Sequence, residues 1–222
     1  MSAITISREI GSQGDEIAAQ VALALGHHLV DRRFIGSILS QYGLVEFDQE
    51  YQTLPGFWQR FDAQREQRRD QMVAMLNQVI QAVARHGNVV IVGRSGYVVL
   101  AGFADVLHVR LQAPQEVRIA RVAVSQGLSA AQAEDAVQTS DLVRATFVED
   151  FYDVSWEAIH AFDLIINTGQ ITPQRAVAWI CDAARDLKRA PELGRPTLGT
   201  LSVDPVLSAA VAQALHCERV HA

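Results

Sequence analysis

Short β-branched runs alternate with amphipathic stretches along most of the chain. Ile4-Thr5-Ile6 is strand-like, Gly11-Ser12-Gln13-Gly14 is a turn, and residues 15–25 repeat Ile17, Val21 and Leu25 at helical spacing. Gly26 stands where a left-handed residue closes a helix. Residues 28–31 predict a second strand and residues 34–39 a second helix, while residues 42–56, with Gly43, Pro55 and Gly56, predict a loop. Residues 57–85 predict a long helix whose inner stripe is Met72, Met75, Leu76, Val79, Ile80 and Val83, stopped by Gly87. Val89-Val90-Ile91-Val92 is a buried-strand run leading into Gly93-Arg94-Ser95-Gly96. A strand over 106–111, a helix over 114–126 and a capping box at Ser129-Ala130-Ala131-Gln132 come next. Leu164-Ile165-Ile166 is the last strand, and Thr172-Pro173 opens a helix to about residue 188. Residues 190–204 predict a linker, after which Asp204-Pro205 opens a short helix with Val206, Leu207, Val211 and Leu215 on one stripe. That stripe suits packing on the same chain, with a second subunit, and so a homo-oligomer, as the alternative.

Apolar strands alternating with helices predict an α/β fold: a mostly parallel sheet with helices on both faces. Composition narrows the class further. With 49% hydrophobic residues among 222, the chain can build a sizeable core. No run of about 18 apolar residues predicts a membrane span, and the start runs into a strand without a basic-then-apolar leader, so a cytoplasmic location is expected. Cys181 and Cys217 have no metal-type spacing. A net charge of -6 argues against a nucleic acid as the main partner. Of 19 basic residues, 18 are arginine and Lys188 is the only lysine.

Ligands of parallel sheets bind at the carboxyl ends of the strands. The turn Ser7-Arg8-Glu9-Ile10-Gly11-Ser12-Gln13-Gly14-Asp15 is either a phosphate cradle, with backbone N–H groups and a helix N-terminus facing an anion, or a plain strand-to-helix turn. Arg94 is placed to hold a phosphate bidentately or to lie in solvent. Asp31, before Arg32 and Arg33, orients an arginine or ribose, or caps the next helix. Arg118 and Arg121, like Asp141 and Arg144, are three residues apart and so share a helix face, toward either a cleft or water. Arg65, Arg68 and Arg69 are expected at the surface, and the histidines show no ligand or triad spacing.

In this order the segments resemble the cytidylate kinase-like family of P-loop proteins. The residues 4–18 are similar to its first strand, loop and helix, and Leu29-Val30-Asp31-Arg32-Arg33-Phe34-Ile35 to its second strand and acid-arginine turn. Val92-Gly93-Arg94-Ser95-Gly96 resembles the Gly-Arg turn that faces the nucleotide substrate. Residues 111–121 resemble the strand-to-lid segment, Asp141-Leu142-Val143-Arg144 the lid return, and residues 162–167 the final strand. The likeness runs over about residues 3–188. It implies a three-layer P-loop NTPase-like domain over 1–189, with 190–222 a linker and short C-terminal helical extension. It also implies ATP with Mg²⁺ as cofactor and a CMP-like nucleoside monophosphate as acceptor. Gly11, Ser12, Gln13, Gly14, Asp15 and Glu16 would then hold the ATP phosphates, and Asp31, Arg33, Arg94 and Asp141 the acceptor. Arg8, Arg118, Arg121 and Arg144 would act on the transferring group.

Two features depart from the family pattern. Gly14 falls where the P-loop lysine belongs and Asp15 where the magnesium hydroxyl belongs; Ser95 replaces an acid after the Gly-Arg pair. Arg8 supplying the missing positive charge, and Asp15 taking the metal, is one reading. Arg8 pairing with Glu9 or Glu16 is the other. A phosphotransferase, a binding module without turnover, and a small-molecule kinase with another acceptor remain as alternatives.

Overall fold

The apolar runs β1 (Ala3–Arg8), β2 (His28–Val30), β3 (Val89–Val92), β4 (Val106–Gln112) and β5 (Leu164–Asn167) pair in parallel, in the order β2-β3-β1-β4-β5. The structure is a computed structural model and describes residues 2–44, 63–93, 95–187 and 194–218. The helices are α1 (Gly14–Leu25), α2 (Arg32–Gln41), α3 (Ala63–His86), α4 (Gly96–Val99), α5 (Gln115–Gln126), α6 (Ala130–Tyr152), α7 (Pro173–Leu187) and α8 (Pro205–Glu218).

Alternation along the strands divides the core. Ala3, Val89, Ile91 and Val106 meet α2, α3 and α8 on one face, while Ile4, Ile6, Val90, Val92, Leu107 and Val109 meet α1 and α7 on the other. A smaller cluster, Val122, Ala133 and Val137, joins α5 to α6. Because β3 and β4 flank β1 on opposite sides, the turn after β1 opens at the point where the chain order reverses, the usual place for a ligand crevice.

Most boundaries agree with the pattern, including the capping box at Ser129 and Gln132 and the left-handed Gly26. Four details differ. The second strand stops at Val30 and the helix after it begins at Arg32, because Asp31 caps it by accepting a 2.9 Å hydrogen bond from the Phe34 N–H. Arg69 is not a bare surface cation, since its guanidinium sits 4.9 Å from the centre of the Phe151 ring. Residues 194–204 are no free linker: Leu198 is fully buried, its N–H donates to Asp105, and the Ala104 N–H donates to the Pro196 carbonyl. Val206 faces out, whereas Leu207, Val211 and Leu215 are buried against the rest of this chain. Burying each such side chain is worth about 1.5–3 kcal/mol, which accounts for the stripe by packing in cis. Residues 45–62, Arg94 and Lys188 lie outside the described residues, so the predictions for the loop, the start of the long helix and the Gly-Arg turn fall there.

Inside the sheet, His108 is buried with Nδ1 2.8 Å from the Thr5 hydroxyl. Burial pushes its pKa down, against the pull of nearby Asp163. A histidine kept neutral by folding binds fewer protons in the native than in the unfolded state below pH ~6.5, so stability is lost as pH falls through that value. Urea unfolding at pH 7.5 and 5.5 should show this loss, and His108→Gln should remove its share of the difference.

Candidate functional site

The turn between β1 and α1 is held by a dense set of bonds. Gly11 and Gln13 both adopt left-handed backbone, at φ 77° and 60°. For glutamine that conformation costs about 1–3 kcal/mol and persists only where the surroundings enforce it. Here they do: the Ser12 hydroxyl donates to the Glu9 carbonyl at 2.7 Å, and the Thr168 hydroxyl donates to the Ser12 carbonyl at 2.9 Å. Arg121 completes the clamp, donating to the carbonyls of Gly11 (3.1 Å) and Thr168 (2.8 Å).

A cleft of about 650 Å³ opens beside this turn at the carboxyl ends of β1, β2 and β3. Arg8, Ile10 and Asp15 line it from the turn, Asp31, Arg32 and Arg33 from the start of α2, and Val92 from β3. Its roof is one face of α6: Asp135, Ala136, Thr139, Ser140, Val143 and Arg144. Four arginines thus meet three aspartates in a chain whose net charge is -6, so the cleft is locally cationic. Arg8 Nε donates to Asp15 at 2.9 Å, and Arg144 donates to the carbonyl and hydroxyl of Ser140.

Of the expected site residues, Arg8, Asp15, Asp31, Arg33 and Arg144 share this cleft. Asp31 caps α2 with one oxygen, as one of its two readings had it, and also lines the cleft. Ser12 is buried with its hydroxyl bonded inside the turn, and Gln13 serves as the N-cap residue of α1. Glu16 lies on the exposed side of α1, bonded to Gln20.

Arg118, Arg121 and Asp141 do not line the cleft. Arg118 is buried and turned inward, 2.9 Å from Asp141, 3.3 Å from Glu9, and donating to the Ala113 carbonyl. Spacing put Arg118 with Arg121 and Asp141 with Arg144, and helix geometry alone does not say which way a shared face points. The first pair proves to be a brace behind the turn, and the second pair splits, with only Arg144 reaching the cleft.

Sequence reasoning missed Glu9, Thr168 and the roof residues Asp135, Thr139 and Ser140. Glu9 is the hub of the brace: one oxygen accepts from the Ala113 N–H and meets Arg118, while the other lies 3.6 Å from Arg110. Burial pushes the Arg110 pKa down, opposed chiefly by the Glu9 carboxylate, and its guanidinium rests 4.2 Å from the Trp156 ring centre. The signal for the roof was present, since 135, 136, 139, 140, 143 and 144 recur at helical spacing around Arg144.

Does this cleft suit nucleotide phosphates? The first turn of α1 receives no side-chain cap, which leaves its N–H groups for another acceptor. At Gly14, a Cβ would sit 2.5 and 2.6 Å from Cβ and Cγ of Arg8. The stem of Arg8 therefore packs under Gly14, and its guanidinium lines the cleft. These features fit a phosphate. A metal is different: among the described residues no three His, Cys, Asp or Glu side chains are grouped to hold one. A cation here would depend on phosphate oxygens and water for most of its ligands, as magnesium commonly does.

Comparison with known proteins bears on the family and the fold. A family model described as the cytidylate kinase-like family matches residues 3–170. A cytidylate kinase of Ignicoccus hospitalis is 32% identical over 105 residues, covering 47% of this chain and 60% of that protein. A uronate isomerase of Corynebacterium glutamicum is also 32% identical, over 99 residues that make up 45% of this chain but 19% of that protein. The chain thus spans less than two thirds of the length of either. Among solved structures, an uncharacterized protein from Eubacterium ventriosum superposes with a TM-score of 0.62 at 17% identity, covering 83% of this chain and 99% of that one, which shows a shared fold.

Proposed function

Since the chain belongs to the cytidylate kinase-like family and has its α/β P-loop NTPase-like fold, we propose that it moves the terminal phosphate of ATP to a nucleoside monophosphate of the CMP class. The observation that carries this reading is the convergence of Arg8, Arg32, Arg33 and Arg144 on one cleft at the strand ends. Phosphoryl transfer asks a protein mainly to position two substrates and neutralise charge. Arg8 and the N-terminus of α1 hold the donor phosphates. Arg33 and Asp31 face the acceptor from α2, and Arg144 approaches from the roof. Magnesium, when bound with ATP, supplies further charge neutralisation. No protein nucleophile is needed.

Arg8→Ala should weaken ATP binding by roughly ten- to a hundredfold, the worth of one charge-assisted contact. Arg175→Ala, exposed on α7, should leave it unchanged. Equal calorimetric affinity for the wild type and Arg8→Ala would remove Arg8 from the site. A second reading, a nucleotide-binding module without turnover, is favoured by the missing lysine and by Asp15 already holding Arg8. ATP bound in the presence of CMP with no product formed would select it.

A further inference from the structure

A second hollow lies on the other half of the sheet. Val109 and Leu111 of β4 pack toward α1 and α7, so the alternate residues Arg110 and Gln112 project from the opposite face. Ile165 of β5 is the register partner of Arg110 and shares that face. Glu157, Ala158 and Ile159, which follow α6, close over these side chains, and Glu9 adds a wall, leaving a pocket of about 220 Å³. It shares no lining residue with the phosphate cleft.

Arg110 is only 5% exposed, yet most of its donors are unspent. A guanidinium carries five N–H groups. Among the described residues one of them is bonded, to the Trp156 carbonyl at 2.8 Å, while the Glu9 carboxylate lies 3.6 Å off, too far for a hydrogen bond. Stacking on the Trp156 ring fixes the guanidinium without using a donor. A buried cation in this state is costly unless something accepts from it.

The neighbouring charges decide what that acceptor is. Glu9 is engaged by the Ala113 N–H and Arg118, whereas Glu157 is an exposed carboxylate at the rim. An anion reaching Arg110 would meet both carboxylates, and a cation would meet Arg110 itself. A neutral ring with a carbonyl beside an N–H meets neither repulsion. Gln112 offers a donor and an acceptor, and Ala158, Ile159 and Ile165 offer carbon surface to the ring face.

We propose that this pocket is a binding site for a neutral lactam ring, the edge common to uracil and guanine, with Arg110 donating to the ring carbonyl and Glu157 accepting from the adjacent N–H. The site does not depend on phosphoryl transfer in the cleft. Its occupant would touch Glu9, which stands in the chain between the cleft residues Arg8 and Ile10.

The test is calorimetric titration of the full chain with uridine and with guanosine. Their partners are 3-methyluridine and 1-methylguanosine, which keep the carbonyl and lose the N–H. At least one parent nucleoside should bind with a submillimolar Kd, and its methylated form at least tenfold more weakly. Glu157→Ala, at an exposed position, should weaken the parent at least fivefold and remove its advantage over the methylated form. Ala158→Phe fills the pocket and should abolish binding, while Asp182→Asn, an exposed acid on α7, should change nothing. Circular dichroism should show the same fold in all three variants. Binding of one parent alone supports the site and identifies its ring. Absence of binding by both parents at millimolar concentration overturns the inference. So does equal affinity for parent and methylated forms, or binding that Glu157→Ala and Ala158→Phe leave unchanged. The phosphate site stands or falls separately, on the ATP affinity of Arg8→Ala.

Discussion

Arg118→Ala is expected to lower the unfolding free energy by about 3–5 kcal/mol, the cost of removing one partner from a buried charge cluster. The guanidinium is 8% exposed and lies between Glu9, 15% exposed, and Asp141, 31% exposed. Removing it takes the shared cation from two partly buried carboxylates, and leaves the Ala113 carbonyl short of a donor. Packing loss adds to this, since the arginine stem lies where α5 meets the turn after β1. Arg118→Met restores volume without charge, so it should recover only the packing share. Urea unfolding of both variants measures the difference. If Arg118 acted on phosphate instead, stability would change little and nucleotide affinity would fall first. Here the order is reversed: stability falls, and affinity follows because the turn loosens.

Gly11→Val is the second severe change. At φ 77° a β-branched residue takes on the left-handed penalty of about 1–2 kcal/mol. Its Cβ would also lie 2.8 Å from the Arg118 carbonyl oxygen and 2.9 Å from the Arg118 Cα, both backbone atoms of α5 that cannot rotate aside. Forcing apart a well-packed contact adds about 1–3 kcal/mol. The sum, roughly 2–5 kcal/mol, should appear as a lower denaturation midpoint with an unchanged urea slope. Gly14→Ala offers a useful contrast. Its new methyl meets a side chain rather than backbone, the stem of Arg8. Stability should therefore suffer less than in Gly11→Val, while the displaced Arg8 makes phosphate binding suffer more.

How far the sequence foretold this molecule depended on the kind of evidence each feature needed. Runs such as Val89-Val90-Ile91-Val92 announce a buried strand because every position is apolar, and all four are buried. The turn after β1 was equally visible, through its glycines. Side-chain direction was not. Arg118 and Arg144 are both arginines on helices with a charged residue three positions away, yet one is spent inside a brace and the other lines the cleft. Nothing local separates them, because the deciding partners, Glu9 for the first and the face of α6 for the second, lie far off in sequence or on an unassigned side. Glu9 was hidden for the same reason: its contacts to Arg110, Ala113 and Arg118 are all distant. The C-terminal stripe shows the converse limit. Leu207, Val211 and Leu215 matched the pattern, whereas Val206, next to Leu207 on the same helix, is 70% exposed. A single apolar residue at the edge of a stripe does not reveal which side it joins.

Phosphoryl transfer between nucleotides in the cleft beside Arg8 is the proposal on which the rest depends. The most direct test follows ATP and CMP with Mg²⁺ by phosphorus NMR, using the wild type and Arg8→Ala in parallel. The account predicts ADP and CDP appearing in equal amounts with the wild type, at a rate at least tenfold lower with Arg8→Ala. Formation of both products at the same rate in the two proteins would contradict the role given to Arg8. No CDP at all, with ATP shown to be bound, would contradict the phosphotransferase itself.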